Sequence, residues 1–114
     1  MLRQLLQSKI HKATITEADI SYIGSITIDQ DLLDKVDLWP GQKVTVVSNT
    51  SGNRLETYVI SGPRGSGMIC MNGAAALLIK KGEEVIIFSY VLSDRHVTPK
   101  CILVDSHNKY IQDL

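Results

Sequence analysis

Short runs of β-branched and aromatic residues, each soon ended by turn-forming residues, limit the fold of this chain more than any other feature. Val, Ile, Thr and Tyr recur in these runs, and their side chains pack well on a pleated surface. Glycine, asparagine, proline and charged residues separate one run from the next. The pattern predicts strands at Lys9–Thr16, Ser25–Ile28, Lys43–Ser48, Arg54–Ile60, Met68–Met71, Glu84–Leu92 and Cys101–Val104.

Turn and helix signals lie between the predicted strands. The segment Asn49–Asn53 predicts a hairpin turn, and two short helices are predicted at Asp29–Val36 and Gly73–Ile79. The run Val85–Phe88 does not alternate, which indicates a strand buried on both faces. Together the elements predict a mainly-β fold, a small barrel that leaves no strand edge exposed and carries two short helices.

The length and charge suit one compact domain. Residues 1–114 form a single predicted domain, and its limited burial at this size favours an oligomer. The 12 basic and 12 acidic side chains cancel, so no positive field attracts nucleic acid. The first residues do not resemble a signal peptide and no apolar run is long enough to span a bilayer, so we expect a cytoplasmic protein without a membrane partner.

The cysteines and histidines do not predict a metal site. Cys70 and Cys101 are expected to be reduced core residues, because the sequence has no export signal. Neither cysteine has a second Cys or a His at metal-ligand spacing, and the three histidines are scattered. We therefore expect no metal.

Two motifs suggest chemistry without fitting a standard pattern. The segment Gly62–Gly67 looks like a phosphate loop but matches neither the Walker spacing nor the dinucleotide fingerprint, so a plain turn is the better interpretation. Ser25 follows Gly24, yet Gly-Ser-Ile is not a nucleophile elbow, and no His and Asp spacing supports a hydrolase triad. On composition alone, Ser25 is a structural serine that opens a strand.

Four blocks change that interpretation of Ser25. The stretches Leu5–His11, Tyr22–Asp29, Arg54–Tyr58 and Asn72–Ala76 resemble the bacterial aspartate 1-decarboxylase family in order and spacing. The tail from Ser93 onward carries no such resemblance. Two further positions bear on the comparison: Val47 stands where some members have a tryptophan, and His11 matches the family's opening segment without an assigned role.

The resemblance implies a double-psi β-barrel, assembled as a homotetramer with active sites between subunits. It implies that L-aspartate loses its α-carboxylate to give β-alanine, a precursor of pantothenate and coenzyme A. The implied cofactor is a covalent pyruvoyl group made from Ser25, which forms a Schiff base with the substrate amine and accepts the electron pair left by carbon dioxide. Pyridoxal phosphate is not expected, because the chain offers no convincing phosphate cradle.

The resemblance also implies that the chain cuts itself between Gly24 and Ser25. The Ser25 hydroxyl attacks the Gly24 carbonyl, elimination frees residues 1–24, and hydrolysis leaves a pyruvoyl group at the head of residues 25–114. A glycine before the serine allows a strained backbone and an open carbonyl. Thr57 is the expected hydrogen-bond donor to the oxyanion that forms.

The resemblance assigns roles in substrate turnover to residues of the same four blocks. Tyr58 matches the family's proton donor, and a phenol holds its proton at neutral pH. Arg54 is expected to bind the retained carboxylate, because clamping the departing one would stabilise the ground state more than the transition state. Lys9 is a second cation for substrate. The remaining expected substrate-binding residues are Thr57, Asn72, Tyr22 and the free helix-start amides of Gly73, Ala74 and Ala75.

Two rival functions stay open. A non-enzymatic β-barrel that acts as a binding or assembly module would share the composition and strand pattern, and it would run as one intact band on a gel. A pyruvoyl enzyme for another amino acid would be cleaved in the same way, and assays with several amino acids would separate it.

Overall fold

A computed structural model describes all of residues 1–114 as nine strands and two short helices. All predicted strands and both helices are present, with bounds shifted by a few residues. Neither helix has the length and hydropathy needed to cross a membrane. The elements in chain order are β1 (Arg3–Thr14), β2 (Glu17–Asp19), β3 (Ser25–Asp29), α1 (Gln30–Val36), β4 (Lys43–Ser48), β5 (Arg54–Gly62), β6 (Ile69–Asn72), α2 (Ala75–Leu78), β7 (Glu84–Ser93), β8 (Lys100–Val104) and β9 (Tyr110–Asp113).

The sheet closes on itself through the short link between β1 and β2. The strand order is β2-β6-β3-β5-β4-β7-β1-β8-β9, so β2 and β1 occupy the first and seventh places. Only Ile15 and Thr16 separate these two strands in sequence. The Ile15 amide donates to the carbonyl of Glu83 at 3.0 Å, and the Thr16 amide donates to that of Ile69 at 2.8 Å. Because one continuous segment touches both sides of the seven-strand array, the strands form a ring, which confirms the predicted small barrel.

Three strand pairs are parallel, namely β3 with β5, β1 with β8 and β2 with β6. Parallel neighbours cannot be joined by a tight hairpin, so the chain must cross the barrel between them. These crossed connections agree with the double-psi topology that the resemblance implies.

Alternation along β3 separates the core from the outer face. Ile26 and Ile28 are completely buried and belong to a core cluster of 20 residues. Each such side chain stabilises the fold by about 1.5–3 kcal/mol relative to its exposed state. Ser25 and Thr27 point to the opposite, outer face. The strand therefore anchors itself with isoleucines while it holds a row of hydroxyl groups outside the core.

The prediction that Val85–Phe88 is buried on both faces is wrong for a single chain. Val85 and Ile87 are completely buried, but Ile86 and Phe88 are only half-buried, and Tyr90 on the same face is 51% exposed. The apolar run therefore covers the core with one side and gives the outside of the barrel an apolar stripe with the other.

The segment Gly62–Gly67 is a turn built around an internal carboxylate. Asp29 accepts hydrogen bonds from the backbone amides of Gly65 at 3.0 Å and Gly67 at 2.9 Å. It also accepts one from the amide of Asp31 in the first turn of α1. The amides that an external phosphate would need are thus already paired. The plain-turn interpretation of this motif agrees with the structure.

Asn108, in the turn between β8 and β9, connects this turn to the end of β1 by side-chain hydrogen bonds. Its Oδ1 accepts from the Thr14 amide at 2.7 Å, and its Nδ2 donates to the carbonyls of Thr14 at 2.8 Å and Gly67 at 2.7 Å. The residue is 1% exposed, so water cannot replace these bonds. Its φ of 59° lies in the left-handed region, which asparagine tolerates better than most residues.

In a Ser25→Ala background, which removes the expected self-cleavage from all the variants compared, we expect Asn108→Ala to lower the free energy of unfolding by roughly 2–4 kcal/mol, because three buried backbone groups lose their partner. Asn108→Gly, which accepts the positive φ, should lose nearly as much. The control is Asn49→Ala, which removes one exposed hydrogen bond to Glu84 and should cost less than about 1 kcal/mol. Urea denaturation followed by circular dichroism measures all three, and equal losses at Asn49 and Asn108 would contradict this account.

Candidate active site

Ser25 is a completely buried serine whose hydroxyl is fixed by two hydrogen bonds. Its Oγ donates to the carbonyl of Ile23 at 3.1 Å and accepts from Nδ2 of Asn72 at 2.9 Å. Ser25 and Asn72 are direct partners in the antiparallel pairing of β3 with β6. The register of these two strands therefore sets the position of the hydroxyl beside the Gly24–Ser25 peptide.

Asn72 is the centre of a small buried network on the outer face of β3 and β6. Its Nδ2 also donates to Oγ1 of Thr27 at 2.9 Å, and its Oδ1 accepts from Sγ of Cys70 at 3.2 Å. Sequence reasoning missed Thr27 and Cys70. Strand alternation was the available signal, because Thr27 lies two residues from Ser25 and Cys70 two residues from Asn72.

A cleft of about 320 Å³ opens beside Gly24 and is lined by Thr57, Ala74 and Ala75 among others. Its position follows from the parallel register of β3 and β5, which pairs Ile26 with Val59 and hence brings Gly24 alongside Thr57 two residues earlier. Four of the residues named from the sequence therefore meet in one place.

The amides at the start of α2 are only partly free. The Gly73 amide donates to the carbonyl of Asp19 at 2.8 Å, so the expectation of a free amide there is wrong. The Ala74 amide donates to no acceptor in the chain and lies at the cleft. The helix itself is a single turn of four residues, shorter than predicted. The Ala75 amide also donates to no acceptor in the chain, so Ala74 and Ala75 are the backbone donors at the cleft that remain for a ligand.

The need for glycine lies at position 73 and not at position 24. Gly73 has a φ of 66°, and a Cβ on it would lie 2.7 Å from Cα and 2.8 Å from the amide nitrogen of Gly24. Gly24 has no positive φ, and a Cβ there would meet only the Asn72 carbonyl oxygen at 4.0 Å. The expected strain at Gly24 is therefore absent. Gly73 instead lets residues 22–24 pass directly over the start of α2.

Tyr58 lies on the same outer face as Ser25. The pairing of Ile26 with Val59 places Ser25 and Tyr58 side by side one residue earlier on the two parallel strands. Val59 faces the core, so its neighbour Tyr58 points outward, where it is 39% exposed. Tyr22, in the loop before Gly24, is also exposed.

The two predicted substrate cations meet at the ring of Phe88. The Arg54 guanidinium lies 5.8 Å from the ring centroid, and Lys9 pairs with Phe88 across β1 and β7. Neither cation forms an ion pair with a carboxylate. Arg54 pairs with Val47 across β4 and β5, so its aromatic neighbour comes from Phe88 and not from position 47. We name this group the Phe88 cluster: Lys9, Arg54 and Phe88.

Within one chain the Phe88 cluster and Ser25 lie apart. Lys9 is on β1, which the closed barrel separates from β3 by β2 and β6 on one side and by β7, β4 and β5 on the other. Arg54 precedes Tyr58 by four residues, about 13 Å along an extended strand, and its guanidinium leans towards β7, away from β3. Within one copy these residues therefore lie on different parts of the barrel, and the expectation that they form a site between subunits stays a prediction.

His11 adds a buried polar atom near the Phe88 cluster. Its Nδ1 is buried without a hydrogen-bond partner. Burial, and then the positive charges of Lys9 and Lys12, lower the pKa of His11, while Glu84 raises it. The imidazole is therefore predominantly neutral at pH 7. The chain brings no three His, Cys, Asp or Glu side chains together in a metal-binding arrangement.

Comparison with known proteins decides the family. The chain matches the profile of the aspartate decarboxylase family over residues 1–111. It belongs to the aspartate decarboxylase family. An aspartate 1-decarboxylase of Neisseria meningitidis serogroup C is 56% identical, with 100% of this chain and 92% of the relative covered. Those of Acetivibrio thermocellus and Bacillus subtilis strain 168 are 54% and 50% identical, covering 97% and 100% of this chain and 91% and 93% of the relatives.

Membership in the aspartate decarboxylase family confirms the resemblance drawn from the four blocks. The match also continues to residue 111, through the tail after Ser93 in which we recognised no likeness. In the structure this tail forms β8, which pairs with β1, and β9 at the edge of the sheet. It is therefore part of the family's fold.

Because only Gly73 lacks space for a side chain, substitution by alanine should destabilise the protein more at position 73 than at position 24. The test uses a Ser25→Ala background, which lacks the hydroxyl needed for the expected self-cleavage. In this background we expect Gly73→Ala to lower the free energy of unfolding by about 1–3 kcal/mol, because of steric overlap and the positive φ. Gly24→Ala should change it by less than about 1 kcal/mol, since the space beside it is open. Urea denaturation measures both, and a larger loss at Gly24 would refute the assignment.

Proposed function

We propose that this chain is an aspartate 1-decarboxylase that converts L-aspartate to β-alanine and carbon dioxide, and so supplies a precursor of pantothenate. The observation that carries the proposal is the buried Ser25 hydroxyl, held by Asn72 at the Gly24 junction beside Thr57. The relatives that share 50–56% identity carry the same activity in their names.

Maturation begins when Oγ of Ser25 attacks the carbonyl carbon of Gly24. The C–N bond breaks, the nitrogen takes up the proton that the hydroxyl gives up, and an ester joins the two pieces. Loss of the α-proton of residue 25 then breaks the Cβ–Oγ bond and releases residues 1–24 with a carboxylate at Gly24. Water hydrolyses the remaining dehydroalanine, ammonia leaves, and residues 25–114 begin with a pyruvoyl group.

The residues around the junction fit this sequence of steps. Asn72 donates to Ser25 Oγ and holds it next to the scissile peptide, while the backbone passes over Gly73 without a side chain in the way. Thr57 lines the same cleft as Gly24, which supports the proposal that its hydroxyl donates to the oxyanion. One such donor contributes about a hundred- to a thousand-fold in rate.

A pyruvoyl group at position 25 supplies a ketone for the substrate amine and an electron sink for the pair left by carbon dioxide. Tyr58, next to position 25 on the outer face, delivers its phenolic proton to the carbon that has lost the carboxylate, which is the amine-bearing carbon of β-alanine. The Ala74 amide, which has no acceptor in the chain, donates to a substrate carboxylate. The remaining roles belong to Arg54 and Lys9, which lie at the Phe88 cluster, apart from Ser25 in one copy.

A complete site therefore combines two copies of the chain. Arg54 and Lys9 carry unpaired positive charge on an apolar outer face, and a dicarboxylate offers a matching charge. If that face meets the Ser25 region of a second copy, the retained carboxylate reaches Arg54 while the amine reaches position 25. The half-buried stripe of β7 is the apolar surface that such an assembly, proposed as a tetramer, would cover.

We expect the purified protein to contain two pieces, 1–24 and 25–114, and Ser25→Ala to stay intact and inactive. Tyr58→Phe keeps the ring but loses the hydroxyl, so it should be cleaved yet form β-alanine about a hundred- to ten-thousand-fold more slowly. Intact mass reports cleavage and a β-alanine assay reports turnover. An active Ser25→Ala protein would exclude the proposed function, and a fully active Tyr58→Phe protein would exclude Tyr58 as donor.

Mixed assemblies test the two-copy site. Ser25→Ala and Arg54→Met chains, each inactive alone, should recover about a quarter of wild-type activity when co-expressed in equal amounts, because sites between subunits then combine one intact half from each. The matched control pairs Ser25→Ala with Tyr58→Phe. Those two residues lie side by side in one copy, so no recovery is expected. Recovery in neither mixture would place Arg54 and Ser25 in the same subunit.

A further inference from the structure

We propose that Cys70 is a positioning residue for self-cleavage: its thiol orients the side-chain amide of Asn72 so that both N–H groups of the amide face the hydroxyls of Ser25 and Thr27. The inference rests on the proposed function, because it takes Ser25 as the nucleophile. It adds a residue that acts through Asn72 and touches neither the scissile peptide nor the substrate.

The geometry singles out Cys70 as the partner of the far end of the amide. Cys70 is 5% exposed and pairs with Thr27 across β3 and β6. Its Sγ lies 3.2 Å from Oδ1 of Asn72, closer than the 3.8 Å to the carbonyl of Met71. No other group donates to that Oδ1. The thiol is therefore the one contact that distinguishes the oxygen end of the amide from the nitrogen end.

The Cys70 sulfur keeps its proton, as a donor must. Burial raises the pKa of Cys70, and the negative charges of Glu17 and Asp19 raise it further. The residue therefore stays a thiol at neutral pH, with one S–H to donate and a sulfur that is a weak acceptor. This favours the amide oxygen of Asn72 facing Cys70 over the reverse arrangement.

The orientation of the amide decides what the Ser25 hydroxyl does. With both N–H groups directed at Ser25 and Thr27, the Ser25 proton is left to donate to the Ile23 carbonyl, which holds Oγ against the segment that ends at Gly24. A reversed amide would present its oxygen, and the Ser25 hydroxyl would donate to Asn72 instead. The nucleophile would then be turned away from Ile23 before it could attack.

The test follows conversion of newly made full-length chains by intact mass in a cell-free translation reaction. Cys70→Ser keeps a donor and should cleave within about twofold of the wild-type rate. Cys70→Val and Cys70→Ala cannot donate and should cleave roughly three- to tenfold more slowly, the rate equivalent of one hydrogen bond. The inference is overturned if the valine and alanine variants cleave at the wild-type rate, or if the serine variant is as slow as valine.

A double-mutant cycle separates positioning from packing. In an Asn72→Ala background, Cys70→Val should slow cleavage no further, because its effect passes through the Asn72 amide. An additional loss in that background would show that Cys70 acts by filling space and would also overturn the inference. A wild-type chain that never cleaves would instead remove the proposed function, so the two failures are distinct.

Discussion

The passage of one continuous segment from β1 through Ile15 and Thr16 into β2 is the constraint on which the rest of the structure depends. It closes the seven-strand array into a ring, in which β3 lies between β6 and β5. The registers of β3 with these two strands set Asn72 opposite Ser25 and Thr57 alongside Gly24. The geometry around the serine is therefore set by strand pairing within the closed barrel, together with the close passage of residues 22–24 over Gly73.

The polar groups of this chain are divided between two separate places. Around Ser25 the side chains are neutral donors and acceptors in a buried network, where a stray charge would be expensive. Around Phe88 they are cations on a half-exposed apolar face, where water still solvates them. Chemistry that needs a neutral, dry nucleophile and a charged recognition group thus has both in one chain, and the proposed assembly of two copies would bring them together.

Much of the fold could be predicted because alternating apolar and polar residues mark most of its strands. The alternation in β3, β4 and β5 follows from one face packing on the core, and branched residues make that face visible in the sequence. The short strands β2 and β9 escaped prediction because every residue in them is exposed, so no apolar pattern marks them. The outer stripe of β7 misled us, since an apolar run looks the same whether a core or another surface covers it.

The site was predictable only in part. The four blocks identified Ser25, Gly24, Thr57 and Asn72, which the structure brings together. Chain order says nothing of which face of the barrel a residue occupies, so the separation of Lys9 and Arg54 from Ser25 needed the strand order. The pairing of Arg54 with Val47, and the approach of Arg54 to Phe88 on a non-adjacent strand, were likewise visible only in the structure.

The route of the first 24 residues has a consequence for the life of the mature protein. They contain β1, which pairs with β7 and β8, and β2, which pairs with β6. A cut after Gly24 therefore severs the backbone but leaves both fragments interlocked. The uncut chain refolds as a single molecule, whereas the cut one must reunite two separate polypeptides, a second-order process that dilution slows. Maturation would make unfolding practically irreversible, so the persistence of the mature form is governed by its unfolding rate and not by an equilibrium.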